Sequence, residues 1–383
     1  MNVTLTRNLA DVPRAEWDAL AGGSFYAGHD WAAYQELDPH ARAYYVLVRD
    51  GDGDGDGALV AAASAYLVAR ESSGRYRPST VFPDLGLAQD GPVLLVGNRR
   101  GHANRLLLDH SHPHADRALD QLVAAVDRLA ADEADGHAWW LYLGEEDTRR
   151  LLPYARLPRP RLLAADCAIG LPGDGFDDYL AAATGNQRRQ IRKDRRTFLE
   201  AGYTYRAEAF RDVWRPMGPL IASHQSHHGH QAADEAMTEL MRQQSETCGR
   251  TATVHTCGRG PAMVGCALTF ATSTQIAARA YGFDHSRGAS AAEYFELFYY
   301  RPIEQAYAVG VREVHLGIGT LQPKIRRGAR VLLLWGLVTG ADLPAADDGA
   351  AAVLNRDEWE RTAAQLGDRP DALSDTLLPL ALA

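Results

Sequence analysis

Hydrophobic residues recur along the chain with two spacings, one typical of helices and the other of strands. Residues Ala115–Ala134 carry apolar side chains three and four positions apart, which predicts an amphipathic helix with one buried face. The members of that face are Leu119, Leu122, Val123, Val126 and Leu129. Apolar runs of strand length lie on both sides of this helix, at Ala43–Val48, Ala58–Val68, Gly91–Gly97 and Trp139–Leu143. The first part of the chain is therefore predicted to alternate strands with helices.

The second part of the chain shows the same two patterns, with clearer helix boundaries. Helices are predicted to begin near Phe176 and at Thr184, because Thr184 and Gln187 have the spacing of a capping box. A further helix is predicted over roughly 220–248, after Pro216 and Pro219, with a break near His228–His230. The remaining predicted elements are strands at Tyr203–Ala209, Thr251–Cys257, Ala262–Ala271, Gln275–Phe283, Glu313–Gly317 and Val331–Val338, and helices at Ala291–Val309 and Arg356–Leu366.

These elements divide at a segment rich in proline and arginine, Leu152–Arg161. A chain of 383 residues is long enough for two domains, each with its own core. We therefore predict an N-terminal domain over 1–160 and a C-terminal domain over 161–383. Both belong to the α/β (α+β) class, with a mixed, mostly antiparallel sheet flanked by helices.

Composition narrows the class of protein without identifying a site. Hydrophobic residues make up 46% and charged residues 23% of the chain, as in ordinary globular proteins. No run of 18 apolar residues occurs, so no membrane span is expected. The N-terminus lacks the pattern of a signal peptide, and the four cysteines form no CxxC pair, which favours reduced thiols. These features together predict a cytoplasmic protein.

The charge is unevenly distributed. A net charge of -9 argues against a protein that coats nucleic acid, yet the segment from Asn186 to Arg196 has six basic residues and one acidic residue. The basic residues are Arg188, Arg189, Arg192, Lys193, Arg195 and Arg196, and helical spacing groups them on neighbouring faces. Such a patch could bind the phosphates of tRNA or of another anionic substrate. The alternative is an ordinary solvated helix.

Four stretches of the chain resemble FemABX-like proteins of the GNAT acyltransferase superfamily. They are Phe176–Leu180 with Gln187–Gly202, Arg279–Asp284, Tyr294–Tyr300 with Ile303, Glu304 and Gly310, and Val314–Gly319 with Lys324, Arg327 and Gly328. The first half resembles the family through Ser24–Trp31 and Pro92–Gly97. The resemblance implies two tandem GNAT-like domains and an enzyme that forms an amide bond on an amine acceptor. In FemABX enzymes the donor is aminoacyl-tRNA, whereas many other GNAT proteins use acyl-CoA.

The resemblance also implies a catalytic lysine, for which Lys324 is the match. Amide formation from an ester or thioester passes through a tetrahedral oxyanion, and a cation held beside that oxyanion lowers the barrier. The alternative is a surface lysine in a basic loop.

Other polar residues of the matching stretches are candidates for proton transfer and substrate binding. A base must remove a proton from the acceptor amine, and the candidates are Glu296, Tyr299, Tyr300 and His315. Candidate substrate-binding residues are Arg279, Tyr281, Arg327, His227 and His228. For the tyrosines the alternative is a hydrogen-bonded place in the core.

No cofactor is predicted apart from the acyl donor itself. GNAT loops that bind CoA resemble (Gln/Arg)-x-x-Gly-x-(Gly/Ala) at a helix N-terminus, and both Asp284–Ser290 and Asn98–Ala103 depart from this pattern. The departure favours a donor other than CoA. Histidines are clustered in two places, but no HExxH motif occurs and no cysteine stands at ligand spacing, so no metal site is predicted.

Three functions remain open at this point. The leading hypothesis is transfer of an amino acid from aminoacyl-tRNA to the amine of a small molecule, either a natural-product intermediate or a cell-wall precursor. The second is an acyl-CoA-dependent N-acyltransferase, and the third is a non-catalytic module that binds tRNA or another anion. The sequence determines neither the acceptor nor the oligomeric state.

Overall fold

The structure is a computed structural model that describes residues 1–51, 57–87, 91–260, 262–287, 291–343, 347–367, 372–373 and 375–383. The strands are β1 (Asn2–Thr6), β2 (Ala41–Arg49), β3 (Leu59–Val68), β4 (Val93–Val96), β5 (Leu107–Leu108), β6 (His137–Leu143), β7 (Arg161–Gly170), β8 (Thr204–Ala209), β9 (Ala252–Arg259), β10 (Ala262–Ala271), β11 (Ile276–Phe283), β12 (Glu313–His315) and β13 (Arg330–Gly340). The mixed α/β class, with largely antiparallel strands and flanking helices, is confirmed.

The helices are α1 (Arg14–Ala21), α2 (His29–Gln35), α3 (Pro78–Val81), α4 (Ala115–Glu133), α5 (Glu145–Leu151), α6 (Phe176–Ala182), α7 (Gly185–Glu200), α8 (Phe210–His227), α9 (Asp234–Cys248), α10 (Glu293–Phe295), α11 (Arg301–Val309), α12 (Leu321–Ile325), α13 (Asp348–Leu366) and α14 (Leu378–Leu382). A π-helical turn, Glu296–Tyr300, joins α10 to α11. Within the described ranges, no helix is long and apolar enough to cross a membrane.

The chain divides into two compact units. The first contains Met1–Asp166, Ile318–Leu321 and Val331–Ala383, and the second contains Cys167–Gly317 and Gln322–Arg330. Sequence analysis placed every residue after 160 in the C-terminal domain, so the units differ from the predicted domains in where the last part of the chain belongs. The difference arises because β13 pairs antiparallel with β6 of the first unit, a contact between strands that lie far apart in the sequence.

In the first unit the sheet order is β1-β2-β3-β4-β6-β13. Neighbouring strands are antiparallel except for β4 and β6, which run parallel. Helix α4 packs its apolar face on this sheet, and Leu122 and Val126 at the centre of that face are fully buried. The predicted amphipathic helix is confirmed, and its period explains the packing because one stripe of side chains faces the core.

In the second unit the strand order is β7-β12-β11-β10-β9-β8, where β7 contributes its residues from Cys167 onwards. All these neighbours are antiparallel except β11 and β12, which run parallel. The predicted start of α7 is confirmed, since the Thr184 hydroxyl accepts from the backbone N–H of Gln187 while the Gln187 side chain accepts from the backbone N–H of Thr184.

The start of α8 differs from the prediction, as does that of α13, which begins at Asp348 rather than Arg356. Helix α8 begins at Phe210, so Pro216 and Pro219 lie inside it rather than before it. Each interior proline costs the helix a backbone hydrogen bond and about 3 kcal/mol. The helix forms nevertheless because Val213, Met217 and other apolar residues at helical spacing are buried, and tertiary packing outweighs the intrinsic preference.

Candidate active site

Strands β11 and β12 run side by side only at the start of β11, and the region beyond their last pair, between β11 and the end of β12, is called the opening below. Within the described residues they pair at Ile276–Val314 and Ala277–His315, after which β11 continues to Phe283. The register between β10 and β11 also shifts here, with Leu268 opposite Ala280 and Thr269 opposite Ala278, so Arg279 is the extra residue on β11. An extra residue of this kind bends a strand and re-aims its side chains. The opening between these strands is the geometric centre of the candidate site.

Lys324 lies in α12, the helix that follows β12 in the chain. Its side chain is buried, and Nζ donates a hydrogen bond to the backbone carbonyl oxygen of Gly317 at 2.5 Å. Gly317 follows the end of β12 by two residues and has a left-handed φ of +69°. The alternative of a surface lysine is therefore wrong. A buried ammonium fixed at a strand end can stabilise negative charge that develops on a nearby oxygen.

Tyr300 and Arg327 meet Asp194 in a buried cluster. Arg327 Nη2 lies 2.5 Å from Asp194 Oδ2, and the Tyr300 hydroxyl donates to the same oxygen at 2.6 Å. Arg327 Nε donates to the Tyr300 hydroxyl at 3.0 Å, and its guanidinium lies 3.4 Å from the ring centroid of Phe295. Burial raises the pKa of Tyr300, so its hydroxyl keeps its proton at neutral pH. These contacts join α7 to the residues around Lys324, and the catalytic role of Tyr300 and the substrate-binding role of Arg327 stay predictions.

Glu296 lies in the π-helical turn within a second buried network. Its carboxylate oxygens lie 2.9 Å from Arg301 Nε and 3.5 Å from Arg195 Nε, and both arginines also pair with Glu304. Burial raises the pKa of Glu296, and the charges of Arg195 and Arg301 act in the opposite direction. Two guanidinium groups thus hold this carboxylate, and π-helical turns often lie at functional sites. Its role as the base for the acceptor amine stays a prediction.

His315 is the last residue of β12 and lies beside the opening. It stands opposite Ala277 of β11 and Ala168 of β7, and its side chain is buried. Gly317, whose carbonyl accepts a hydrogen bond from Lys324, follows His315 by two residues. Both His315 and the Lys324 side chain therefore lie at the end of β12.

Aromatic side chains line the β11 side of this region. The ring of Tyr281 lies 5.0 Å from that of Tyr294, and the Tyr294 and Tyr299 hydroxyl oxygens are 3.2 Å apart. Burial raises the pKa of Tyr281, Tyr294 and Tyr299. All three hydroxyls are therefore protonated at neutral pH and can donate hydrogen bonds, which makes Tyr299 a poor base. Arg279, two residues before Tyr281, is half-buried.

The predicted substrate-binding histidines lie at the end of α8. His227 and His228 are exposed, and the His227 ring stacks on His285 with a centroid separation of 3.9 Å. His224, which sequence analysis did not select, is partly buried, and its Nδ1 lies 3.0 Å from His285 Nε2. Burial and the neighbouring histidines lower the pKa of His224 to about 4. In the described part of the chain, no group of three or more His, Cys, Asp or Glu residues is placed to hold a metal ion.

Helix α7 presents most of its basic residues to solvent. The exposed ones are Arg189, Arg192, Lys193 and Arg196. Arg188 is half-buried and donates to the backbone carbonyls of Ala181 and Ala183, whereas Arg195 turns inward to Glu304 at 2.7 Å. The predicted basic face is therefore smaller than the charge count suggests, because Arg188 and Arg195 turn towards the unit and the exposed Arg196 lies 3.8 Å from Glu200.

Sequence reasoning missed two polar groups that shape this unit. Asp194 was treated as a lone acid in a basic run, and its helical spacing from the apolar Ile191 and Phe198 is the signal that could have identified it. The other is His255, which stands on β9 and is 2% exposed. The segment Asp284–Ser290, which departs from the pattern of a CoA loop, is described only in part, because Gly288–Ser290 lie outside the described residues.

The chain is similar to one known protein family and to several proteins of known structure. A family model described as FemAB-like, peptidoglycan biosynthesis/recognition, matches residues 101–345. No curated protein sequence matches the chain. A crystal structure of FemX is similar with a TM-score of 0.63 and 10% identity, over 89% of this chain and 98% of FemX. A conserved protein of unknown function from Bacteroides thetaiotaomicron has a TM-score of 0.54 and 10% identity, over 89% of this chain and 100% of its own.

A third similar structure is the C-terminal domain of a putative lysylphosphatidylglycerol synthetase from Agrobacterium fabrum. Its TM-score is 0.52 with 10% identity, over 91% of this chain and 97% of that domain. Identities this low show a shared fold and carry no information about substrates.

Proposed function

The chain belongs to the FemAB-like family and is therefore an acyltransferase, and we propose that it transfers an amino acid from aminoacyl-tRNA to the amine of a small acceptor. The acceptor class is a cell-wall precursor or a natural-product intermediate. The product would be an amide, and no metal or further cofactor would take part.

The observation that carries this proposal is the buried ammonium group of Lys324 beside the opening between β11 and β12. An aminoacyl ester placed in that opening would direct its carbonyl oxygen towards Lys324. The oxyanion that forms on attack would then be stabilised by a cation whose position is already set by Gly317, with little reorganisation during the reaction.

The proposed reaction is a direct displacement. The acceptor nitrogen attacks the ester carbon, a C–N bond forms, and the C–O bond to the tRNA ribose breaks. The departing ribose oxygen takes up a proton, and the acceptor nitrogen loses one. The protonated hydroxyls of Tyr294 and Tyr299 are hydrogen-bond donors suited to the departing oxygen, and His315 is the candidate to receive the proton of the amine.

The exposed face of α7 supports RNA as the donor carrier. Arg192 and Lys193 are exposed and have no acidic partner among the described residues. The inward side of the same helix contacts the residues around Lys324, through Asp194 with Arg327 and through Gln187 with the carbonyl of Ile325. A phosphate backbone bound on α7 would thus lie on an element that is packed against the catalytic segment.

Lys324→Ala tests the proposal. Purified protein is incubated with a mixture of labelled aminoacyl-tRNAs and a small-metabolite extract, and label in small molecules is measured. Native protein is expected to give RNase-sensitive transfer, and Lys324→Ala is expected to lower the rate about 100- to 1000-fold, as for loss of one oxyanion donor. Arg326→Gln is the matched control, because Arg326 is exposed and lies two residues away.

Two other outcomes would replace the proposal. Binding of RNA without any transfer would favour the non-catalytic module. Transfer from labelled acyl-CoA and not from aminoacyl-tRNA would favour the second candidate function, a CoA-dependent N-acyltransferase. The separation of β11 from β12 is the observation that favours this second candidate, because it offers an extended acyl donor a place against the free edge of β11.

A further inference from the structure

The first unit contains a cleft of about 460 Å³ where β3 ends and where β4 and β6 begin. Val68, Val93 and Trp139 contribute one residue from each of these strands to its wall. A volume of this size is typical of sites for small molecules. The residues proposed above for acyl transfer all belong to the second unit, so this cleft is separate from that chemistry.

Two arginines on the wall of the cleft have no acidic partner in the described residues. Arg70 is exposed, and Arg77 uses one nitrogen to donate to the backbone carbonyl of Glu71 at 2.8 Å. The Glu71 carboxylate does not neutralise them, because it is buried and bound to Arg99 and Arg100 at 2.7 and 3.0 Å. The guanidinium groups of Arg70 and Arg77 therefore give this part of the wall a positive charge.

Among the residues that the structure describes, the other acidic side chain on the wall is Asp135, and it has a different partner. Asp135 is 47% exposed, and its carboxylate accepts from the backbone N–H of His137 and lies 3.4 Å from His137 Nδ1. The described part of the wall therefore has two arginines without an acidic partner and one carboxylate that is already hydrogen-bonded. This distribution of charge favours the binding of an anion.

The rest of the wall is apolar and contains unsatisfied polar atoms. Trp139 is 1% exposed, and Pro78, Pro92 and Val93 lie on the same cleft. The Trp139 indole nitrogen and the Ser79 hydroxyl are buried and have no hydrogen-bond partner among the residues that the structure describes. Buried donors normally have hydrogen-bond partners. After a small shift of these side chains, an acceptor group of a bound molecule could therefore accept a hydrogen bond from each of them.

We propose that this cleft binds a small amphipathic anion, with an apolar body and a single carboxylate or phosphate headgroup. The headgroup lies between Arg70 and Arg77, and the body packs on Trp139 and Val93. Arginine suits either headgroup because its planar fork can donate two parallel hydrogen bonds. The site is independent of the proposed acyl transfer and adds a binding activity to the first unit.

Calorimetric titration of the full chain with three probes tests this site. The probes are octanoate, octyl phosphate and octan-1-ol, which share one apolar body and differ in the headgroup. At least one anion is expected to bind about tenfold or more tightly than octan-1-ol, since a charge-assisted hydrogen bond contributes about one such factor. Whichever anion binds more tightly identifies the headgroup.

Matched variants assign the binding to the cleft. Arg70→Gln and Arg77→Gln are each expected to weaken the anion about tenfold, with little effect on octan-1-ol. Arg128→Gln is the control, because Arg128 is an exposed arginine of α4 outside the cleft. Ala69→Trp places a large side chain on the wall and is expected to abolish binding of all three probes.

Several results would overturn the proposal. They are equal affinity for octanoate, octyl phosphate and octan-1-ol, an equal loss in Arg128→Gln, binding that survives Ala69→Trp, and no heat of binding with either anion at millimolar concentration. Arg70 is exposed, so Arg70→Gln is expected to fold even if Arg77→Gln does not.

Discussion

At the scale of single residues, His255 is held in its neutral form inside the second unit. Its ring nitrogens lie 2.9 Å from the Tyr205 hydroxyl and 3.0 Å from Gln305 Oε1, and Thr269 and Arg301 also face the ring. Burial lowers the pKa of His255 to about 4. The unfolded chain takes up this proton near pH 6.5, so it binds more protons than the folded chain between about pH 4 and 6.5. The free energy of unfolding therefore falls as the pH is lowered through this window.

Replacing His255 measures that effect. Urea unfolding of His255→Gln is expected to show a smaller loss of stability between about pH 6.5 and 4 than the native chain, by at most about 1.4 kcal/mol per pH unit. Part of the loss should remain, because the pKa of His224 is also lowered to about 4. His40→Gln, at an exposed position, serves as the control and should leave the native slope unchanged. Parallel curves for His255→Gln and the native chain would contradict the assignment.

At the scale of secondary structure, α8 and α9 approach so closely that only glycine fits between them. A Cβ on Gly218 would lie 2.1 Å from the Thr238 hydroxyl and 2.5 Å from the Thr238 Cα. Gly218→Ala is therefore expected to push the helices apart and lower the free energy of unfolding by about 1–3 kcal/mol, measured by urea denaturation.

Gly185→Ala is the matched control for this element. Gly185 begins α7, and a Cβ there would meet no atom within 4 Å. Alanine is favoured over glycine in helices by roughly 0.5–1 kcal/mol, so this variant should be unchanged or slightly more stable. Equal stability of the two variants would show that the helices can separate without cost.

At the scale of the whole molecule, the uneven distribution of charge predicts how salt affects RNA binding. The chain has a net charge of -9, so nucleic acid should be repelled except at the exposed face of α7. Arg192→Gln/Lys193→Gln should weaken tRNA binding and lower the slope of log K against log salt by roughly 2, one for each cation removed. Filter binding over a range of KCl concentrations measures both quantities.

A second double variant with the same change in charge tests whether tRNA affinity depends on the α7 face or only on the net charge of the chain. Arg117→Gln/Arg128→Gln removes the same charge from exposed positions of α4 in the first unit. If it lowers tRNA affinity and the salt slope as much as the α7 variant does, the α7 face is not the RNA site.

Local patterns were sufficient to predict most elements. The stripe of α4, the capping box of α7 and the antiparallel strands from β9 to β11 all follow from side chains within a few residues of each other. Local rules were insufficient for α8, where two prolines predicted a later start than Phe210. The burial of its apolar face, which depends on distant strands, outweighs the cost of those prolines.

The sequence by itself determined the class of fold, the position of the basic helix and the resemblance that identified Lys324 as a candidate. These features depend on periodicity, local charge and motif spacing. Only the tertiary structure decided that Lys324 is buried against Gly317, and that Asp194 binds Arg327 and Tyr300. It also decided that β13 pairs with β6 of the first unit. The reason is physical: burial, ion pairing and strand pairing join residues far apart in sequence, and their energies depend on which partners the folded chain brings together.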